Sequence, residues 1–147
     1  LIVGVSSAPL YGELAYAERG GGAWLNGEPA RVSAIENVEE CALSSGNLRT
    51  LAAGPGWPAY GRLVSRVNRI RGYGDFLHYH LLASGRIDAV LESDVNILDI
   101  AALVVIVREA GGMFTDLDGR PVGVGTTNVL AANGVLHGRL RAALGAP

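Results

Sequence analysis

Apolar residues follow two patterns along this chain. In the first third they form short runs cut by glycine and proline, and beyond it short apolar runs alternate with longer ones. Leu1 to Ser6 reads as a buried strand broken by Ala8-Pro9. Glu13 to Glu18 reads as a second strand, and Gly20-Gly21-Gly22 lets the chain turn sharply. Ala23-Trp24-Leu25 gives a third strand, and Asn26-Gly27 is a two-residue hairpin signal. Arg31-Val32-Ser33 then completes an antiparallel meander. Cys41 to Ser45 is a further strand, ending in Gly46-Asn47. The pattern next predicts a loop over Gly54 to Pro58 and an amphipathic helix over Tyr60 to Val67. It continues with a short strand over Arg69 to Arg71, a helix over Leu77 to Ser84 stopped at Gly85, and a strand over Ile87 to Leu91 with Glu92 at its end. After the central segment come strands at Met113 to Thr115 and Val129 to Ala132, then a final helix over Leu136 to Leu144. Strand and helix alternation implies crossover units on a sheet covered by helices.

The chain is organised around Asn96 to Gly112. Asp99 stands just ahead of eight consecutive apolar residues, Ile100 to Val107. Periodicity cannot separate helix from strand in so uniform a run. Ala101-Ala102, a length of about three turns, Arg108 in the last turn and Gly111-Gly112 at the end favour helix. Such a helix is apolar all round and lies inside a layered core. Asp99 sits at its positive end, where a carboxylate can cap the helix or hold a cation.

Composition narrows the class. The 147 residues fit one domain, and 49% hydrophobic content is enough to build a substantial core. The net charge of −2 gives no basic footprint for nucleic acid or an anionic membrane. No apolar stretch reaches membrane-span length. The single cysteine, Cys41, reads as a buried small hydrophobe in a reducing, cytoplasmic setting. The chain opens on Leu1 and its one methionine is Met113. It therefore reads as a piece of a longer protein or a processed one.

Ligands of layered α/β proteins gather where strands end and helices begin. Three carboxylates stand at such junctions: Asp75 after Gly72-Tyr73-Gly74, Glu92 and Asp99. Each also has an ordinary structural role open to it, Asp75 and Asp99 as helix caps and Glu92 as a solvated loop acid. Together they suit a hard cation such as Mg²⁺. His78 and His80 are two apart and cannot share a helical face. There is no zinc-spaced Cys/His cluster, no phosphate loop at Gly20-Gly21-Gly22, and no nucleophile elbow at Ser44-Ser45-Gly46.

Leu98-Asp99-Ile100-Ala101-Ala102 through Glu109-Ala110-Gly111-Gly112 resembles the second signature of the inositol monophosphatase family. Arg71-Gly72-Tyr73-Gly74-Asp75-Phe76 and Ala83-Ser84-Gly85-Arg86-Ile87-Asp88-Ala89 are similar to the family segment just upstream. The Gly74-Asp75 form is closest to the histidinol-phosphate phosphatase branch. Ala15-Tyr16-Ala17 with Gly20 to Gly27 matches the family hairpin. The resemblance implies a layered α/β sandwich and a Mg²⁺-dependent phosphomonoesterase acting on a small phosphorylated metabolite as a homodimer. It implies that Asp99 is a metal ligand, that Gly74, Asp75 and Phe76 line the substrate pocket, that Glu92 contacts the alcohol, and that Arg71 also contacts substrate.

Two departures accompany it. Leu98 replaces the family tryptophan, which should remove packing or a pocket wall. The family's Gly-Asp-x-x-x-Glu and Asp-Pro-x-Asp-Gly-Thr motifs, which supply most metal ligands, do not occur. One aspartate cannot build a multi-metal site. The expectation is therefore the carboxy-terminal half of a histidinol-phosphate phosphatase, with little activity by itself. The alternatives are an inositol-1-phosphate or related sugar phosphatase, and a non-catalytic module that binds a phosphorylated metabolite.

Overall fold

A computed structural model describes residues 1–145. The first sheet is an antiparallel meander of β1 (Val3–Ala8), β2 (Glu13–Glu18), β3 (Gly22–Leu25) and β4 (Glu28–Ala30), paired in chain order. Asn26 and Gly27 have φ of 53° and 85°, the left-handed pair that a tight two-residue hairpin demands. The meander closes earlier than Arg31-Val32-Ser33. The Val32 N–H leaves the sheet and donates to the Ala110 carbonyl at 3.0 Å, so the chain straps onto the end of the central helix instead of extending β4.

The second sheet is mixed, in the order β6-β5-β7-β9-β8. It contains β5 (Ala42–Gly46), β6 (Arg69–Arg71), β7 (Ala89–Ser93), β8 (Gly112–Thr115) and β9 (Asn128–Asn133). Only β5, β6 and β7 are parallel, and β9 runs antiparallel to both of its neighbours. The crossover pattern therefore holds for three strands of the five.

Among the described residues there are five α-helices: α1 (Arg49–Ala53), α2 (Trp57–Val64), α3 (Leu77–Ala83), α4 (Ile97–Glu109) and α5 (Gly134–Leu144). The short α1 has too few residues for a period to show, and its first turn is held from outside by Thr50 N–H donating to Asp94 at 3.1 Å. The expected loop around Pro58 is the start of α2. Proline in a first turn loses no helical hydrogen bond, and the helix runs three residues earlier than its apolar pattern suggested.

Strand periodicity sorts two cores. On one face of the second sheet, Val90, Val129 and Ala131 pack with Tyr79 and Leu82 of α3 and with α4. On the other face, Leu91, Leu130 and Ala132 pack with Tyr60 and Leu63 of α2 and Leu136 and Leu140 of α5. The meander covers the far side of α4 with an inward face of small residues: Gly4, Ala8, Ala15, Ala17, Ala23 and Ala30. The layers run meander, α3 with α4, second sheet, then α2 with α5. Gly4 permits the closest approach. A Cβ there would stand 3.0 Å from the Ala102 carbonyl carbon and 3.1 Å from its Cα.

Candidate active site

The parallel strands β5 and β7 lie side by side, and the chain leaves them towards opposite faces of the sheet, from β5 to α1 and α2 and from β7 to α4. A crevice opens at such a divergence, outside the strand ends. It is a cleft of about 300 Å³ lined by Asn47, Asp75, Phe76, Tyr79, Glu92, Val95, Asp99 and Ile100.

Asp99 occupies the first turn of α4. Its Oδ2 accepts from Asn96 N–H at 3.0 Å and Asn96 Nδ2 at 2.6 Å, while Asn96 Oδ1 accepts from Leu98 N–H at 2.8 Å. This is a capping box, so the structural role open to Asp99 is filled. It uses one oxygen only. Oδ1 makes no hydrogen bond among the described residues and is available to a ligand.

Asp75 takes no capping role. Phe76 is the residue that precedes α3, with no side-chain cap, and Asp75 has a left-handed φ of 48° beside Gly74 at 67°. Its carboxylate is exposed and makes no hydrogen bond among the described residues. Asn47 and Asp94 also have positive φ, 40° and 60°. Two of these, Asn47 and Asp75, line the cleft, and Asp94 immediately precedes its Val95, as is common where backbone is bent to serve a site.

Glu92 is no solvated loop acid. It lies within β7, opposite Gly46 and Val129, and is only 3% exposed. Its Oε2 accepts from the Tyr79 hydroxyl at 2.9 Å and its Oε1 from Asn47 Nδ2 at 3.4 Å. Burial, with the Glu92 charge second, pushes the Tyr79 phenol well above its ordinary range and keeps it a donor. Gly46 makes room for the carboxylate, since a Cβ there would stand 2.6 Å from Glu92 Oε1.

The cleft therefore gathers Asp75, Phe76, Glu92 and Asp99. Gly74 is adjacent but does not line it. Arg71 lies outside it, exposed at the end of β6 with a guanidinium nitrogen 2.7 Å from the Ile70 carbonyl. Leu98 is 90% exposed, so that side chain walls nothing among the described residues. Asn47 and Tyr79 were missed. Asn47 is an ordinary strand-end asparagine in sequence, and Tyr79 is hidden in an apolar helical run. Cys41 is fully buried, and burial raises its thiol to about 12, so it is inert.

The two histidines of α3 point opposite ways, as their spacing requires. His80 reaches the meander, with Nε2 2.8 Å from Ser6 Oγ and Nδ1 3.1 Å from Glu13. His78 faces the second sheet.

The inositol monophosphatase family profile matches residues 1–146. The chain belongs to that family. It is 38% identical to the fructose-1,6-bisphosphatase/inositol-1-monophosphatase of Thermotoga maritima, over 92% of this chain and 52% of that protein. It is 39% identical to the histidinol-phosphatase of Mycobacterium tuberculosis, over 92% of this chain and 54% of that protein. Its fold superposes on the crystal structure of the extragenic suppressor protein suhB from Bartonella henselae with a TM-score of 0.89 and 34% identity, covering 97% of this chain and 57% of that one. The chain thus spans about half the length of the inositol monophosphatase relatives it matches.

Among the described residues no three His, Cys, Asp or Glu side chains are grouped to hold a metal. The free Asp99 Oδ1 fits one position around a hard cation, and these residues do not fill the rest. No helix among the described residues is long and apolar enough to cross a membrane.

Proposed function

We propose that this chain is the carboxy-terminal half of a Mg²⁺-dependent phosphomonoesterase whose substrate is histidinol phosphate. The observation that carries the reading is the charge of the cleft. Asp75, Glu92 and Asp99 all line it, and none of its eight lining residues is basic. A site built this way repels a bare phosphate and favours a partner that brings positive charge, either a metal ion or a cationic alcohol. Asp99 then offers one oxygen to the metal, and the remaining ligands come from the half of the protein that the matched relatives have in addition. Bound Mg²⁺ supplies phosphoryl polarisation and water activation in such enzymes.

The residues present divide the remaining work. Glu92, held rigid by Tyr79 and Asn47, orients the alcohol. Asp75, exposed and uncommitted, pairs with an ammonium or imidazolium. Gly74 sets the turn that aims Asp75, and Phe76 supplies an apolar wall. Arg71 reaches substrate only by leaving its backbone contact at the rim. The relatives named histidinol-phosphatase support this substrate.

A second reading, an inositol-1-phosphate or related sugar phosphatase, is supported by the Thermotoga maritima relative of nearly equal identity. The deciding experiment compares phosphate release from histidinol phosphate and inositol 1-phosphate by the full-length protein, with and without Mg²⁺. Preference for histidinol phosphate is expected, and preference for inositol 1-phosphate would replace the first reading with the second. Asp99→Asn should lower kcat at least about a hundredfold, and an unchanged rate would remove Asp99 from the metal site. Silence of the full-length protein on both substrates would favour a non-catalytic binding module. The same reading carries a cytoplasmic homodimer, and the molar mass in solution, measured by light scattering at two concentrations, would test the dimer.

A further inference from the structure

One buried side chain beneath the cleft has no part in the reaction outlined above. His78 is fully buried on the face of α3 that meets the second sheet. Its Nδ1 lies 3.3 Å from Ser44 Oγ. Its Nε2 lies 3.2 Å from Glu92 Oε2 but off the axis of a hydrogen bond, so that nitrogen has no hydrogen-bond partner. Ser44 Oγ in turn accepts from the Tyr73 N–H at 3.3 Å. Tyr73 belongs to the turn that presents Asp75. A continuous line of polar contacts therefore runs from the Asp75 turn through Ser44 and His78 to Glu92.

The direction of that line is set by elementary constraints. A hydroxyl that accepts from Tyr73 N–H has one proton left to donate, and His78 Nδ1 is beside it. A bare lone pair on Nε2 facing a carboxylate oxygen would be repelled, so the hydrogen sits on Nε2. With the ring hydrogen on Nε2, the neutral ring leaves Nδ1 bare to accept the Ser44 proton. An off-axis N–H against a carboxylate oxygen is slack that closes when Glu92 takes up the alcohol of the substrate, because site hydrogen bonds tighten in the substrate complex.

We propose that His78, as its Nε2–H tautomer, is a positioning residue that locks the Asp75 turn and Glu92 into one cation-selective unit. The proposal rests on the reading of the cleft as a site for a cationic alcohol.

The test uses the full-length protein with His78→Leu and His78→Gln, on histidinol phosphate and inositol 1-phosphate. His78→Leu should raise KM for histidinol phosphate about tenfold with a much smaller change in kcat, the cost of one charge-assisted hydrogen bond. The rise should be several times smaller for inositol 1-phosphate, which has no positive charge. Gln places an N–H close to where Nε2–H stands and should recover most of the loss, which a filler of the same space would not do. Nitrogen-15 NMR of the wild-type imidazole should show Nε2 protonated and Nδ1 bare. Equal KM changes for the two substrates, or no recovery with Gln, would overturn the proposal. So would an Nδ1–H tautomer. Absence of wild-type activity on histidinol phosphate would reject the substrate reading alone, and the tautomer would then decide for or against His78.

Discussion

Gly4→Ala adds one methyl group where β1 packs against the backbone of α4. Gly4 has no need of a left-handed backbone, so its value lies in the missing Cβ. The new carbon would sit 3.0 Å from the Ala102 carbonyl carbon and 3.1 Å from its Cα, and it would overlap the carbonyl oxygen. Comfortable separation of carbon atoms is about 3.5–4.0 Å, so α4 must retreat from β1 by nearly 1 Å. The obstacle is helix backbone and no rotamer relieves it. Overpacking of this kind costs about 1–3 kcal/mol, and the upper end applies because the neighbour cannot yield. For a domain of this size about 3 kcal/mol lowers the melting temperature by roughly 6–12 °C. The displacement also carries Asp99, three residues from Ala102, away from its place in the cleft, so kcat of the full-length protein should fall with the melting temperature. Scanning calorimetry and steady-state kinetics on Gly4→Ala read both quantities. A melting temperature within 2 °C of wild type, on the scale of that estimate, would refute the claim that backbone proximity fixes this glycine.

Other perturbations test separate parts of the structure. Gly46→Ala should push the Glu92 carboxylate from its place and raise KM for a cationic substrate about tenfold with little change in melting temperature; unchanged KM would show that Glu92 swings aside without consequence. Burial, with Arg141 second, lowers His137 from its ordinary 6.5 to about 4. The unfolded chain therefore takes up a proton before the folded one does, and stability that is full above pH 6.5 drains as pH falls towards 4. The loss is at most about 3 kcal/mol, measurable by urea unfolding across that range, and His137→Gln should flatten the profile. Glu109→Ala removes the carboxylate oxygen that accepts from Gly20 N–H at 3.0 Å and Gly22 N–H at 3.1 Å. It should cost about 1–2 kcal/mol and speed hydrogen exchange at those two glycine amides; unchanged exchange would mean the turn holds itself.

How much was legible depended on whether the controlling contact was local. The hairpin at Asn26-Gly27, strand β2 and strand β6 follow from neighbouring residues, and their expected positions match the structure. Helix α4 followed from a run of apolar residues bracketed by a cap and a glycine pair. What was hidden came from residues distant in sequence. The end of β4 depends on Val32 meeting Ala110, and α1 depends on Thr50 meeting Asp94. In the cleft, Asp75, Phe76, Glu92 and Asp99 were signalled by their places at strand and helix junctions and by the family resemblance. Tyr79 and Asn47 were not, because only the folded chain brings a core tyrosine and a strand-end amide onto the same carboxylate. The burial of Glu92 was equally invisible, since a glutamate after an apolar strand ordinarily marks its exit into solvent.

The shared helix α4 also dictates a timetable. During synthesis the meander leaves the ribosome before α4, and the surface it packs against ends at Glu109, roughly 80 residues later, which is about 4–16 s of translation. A sheet whose inner face is alanine and glycine buries little apolar surface until its covering layer arrives. The nascent meander must therefore wait, unsettled, for the helix that fixes it. Slowing translation by rare codons upstream of α4 should lengthen that wait and lower the yield of folded protein, while the same codons placed after α5 should have no such effect.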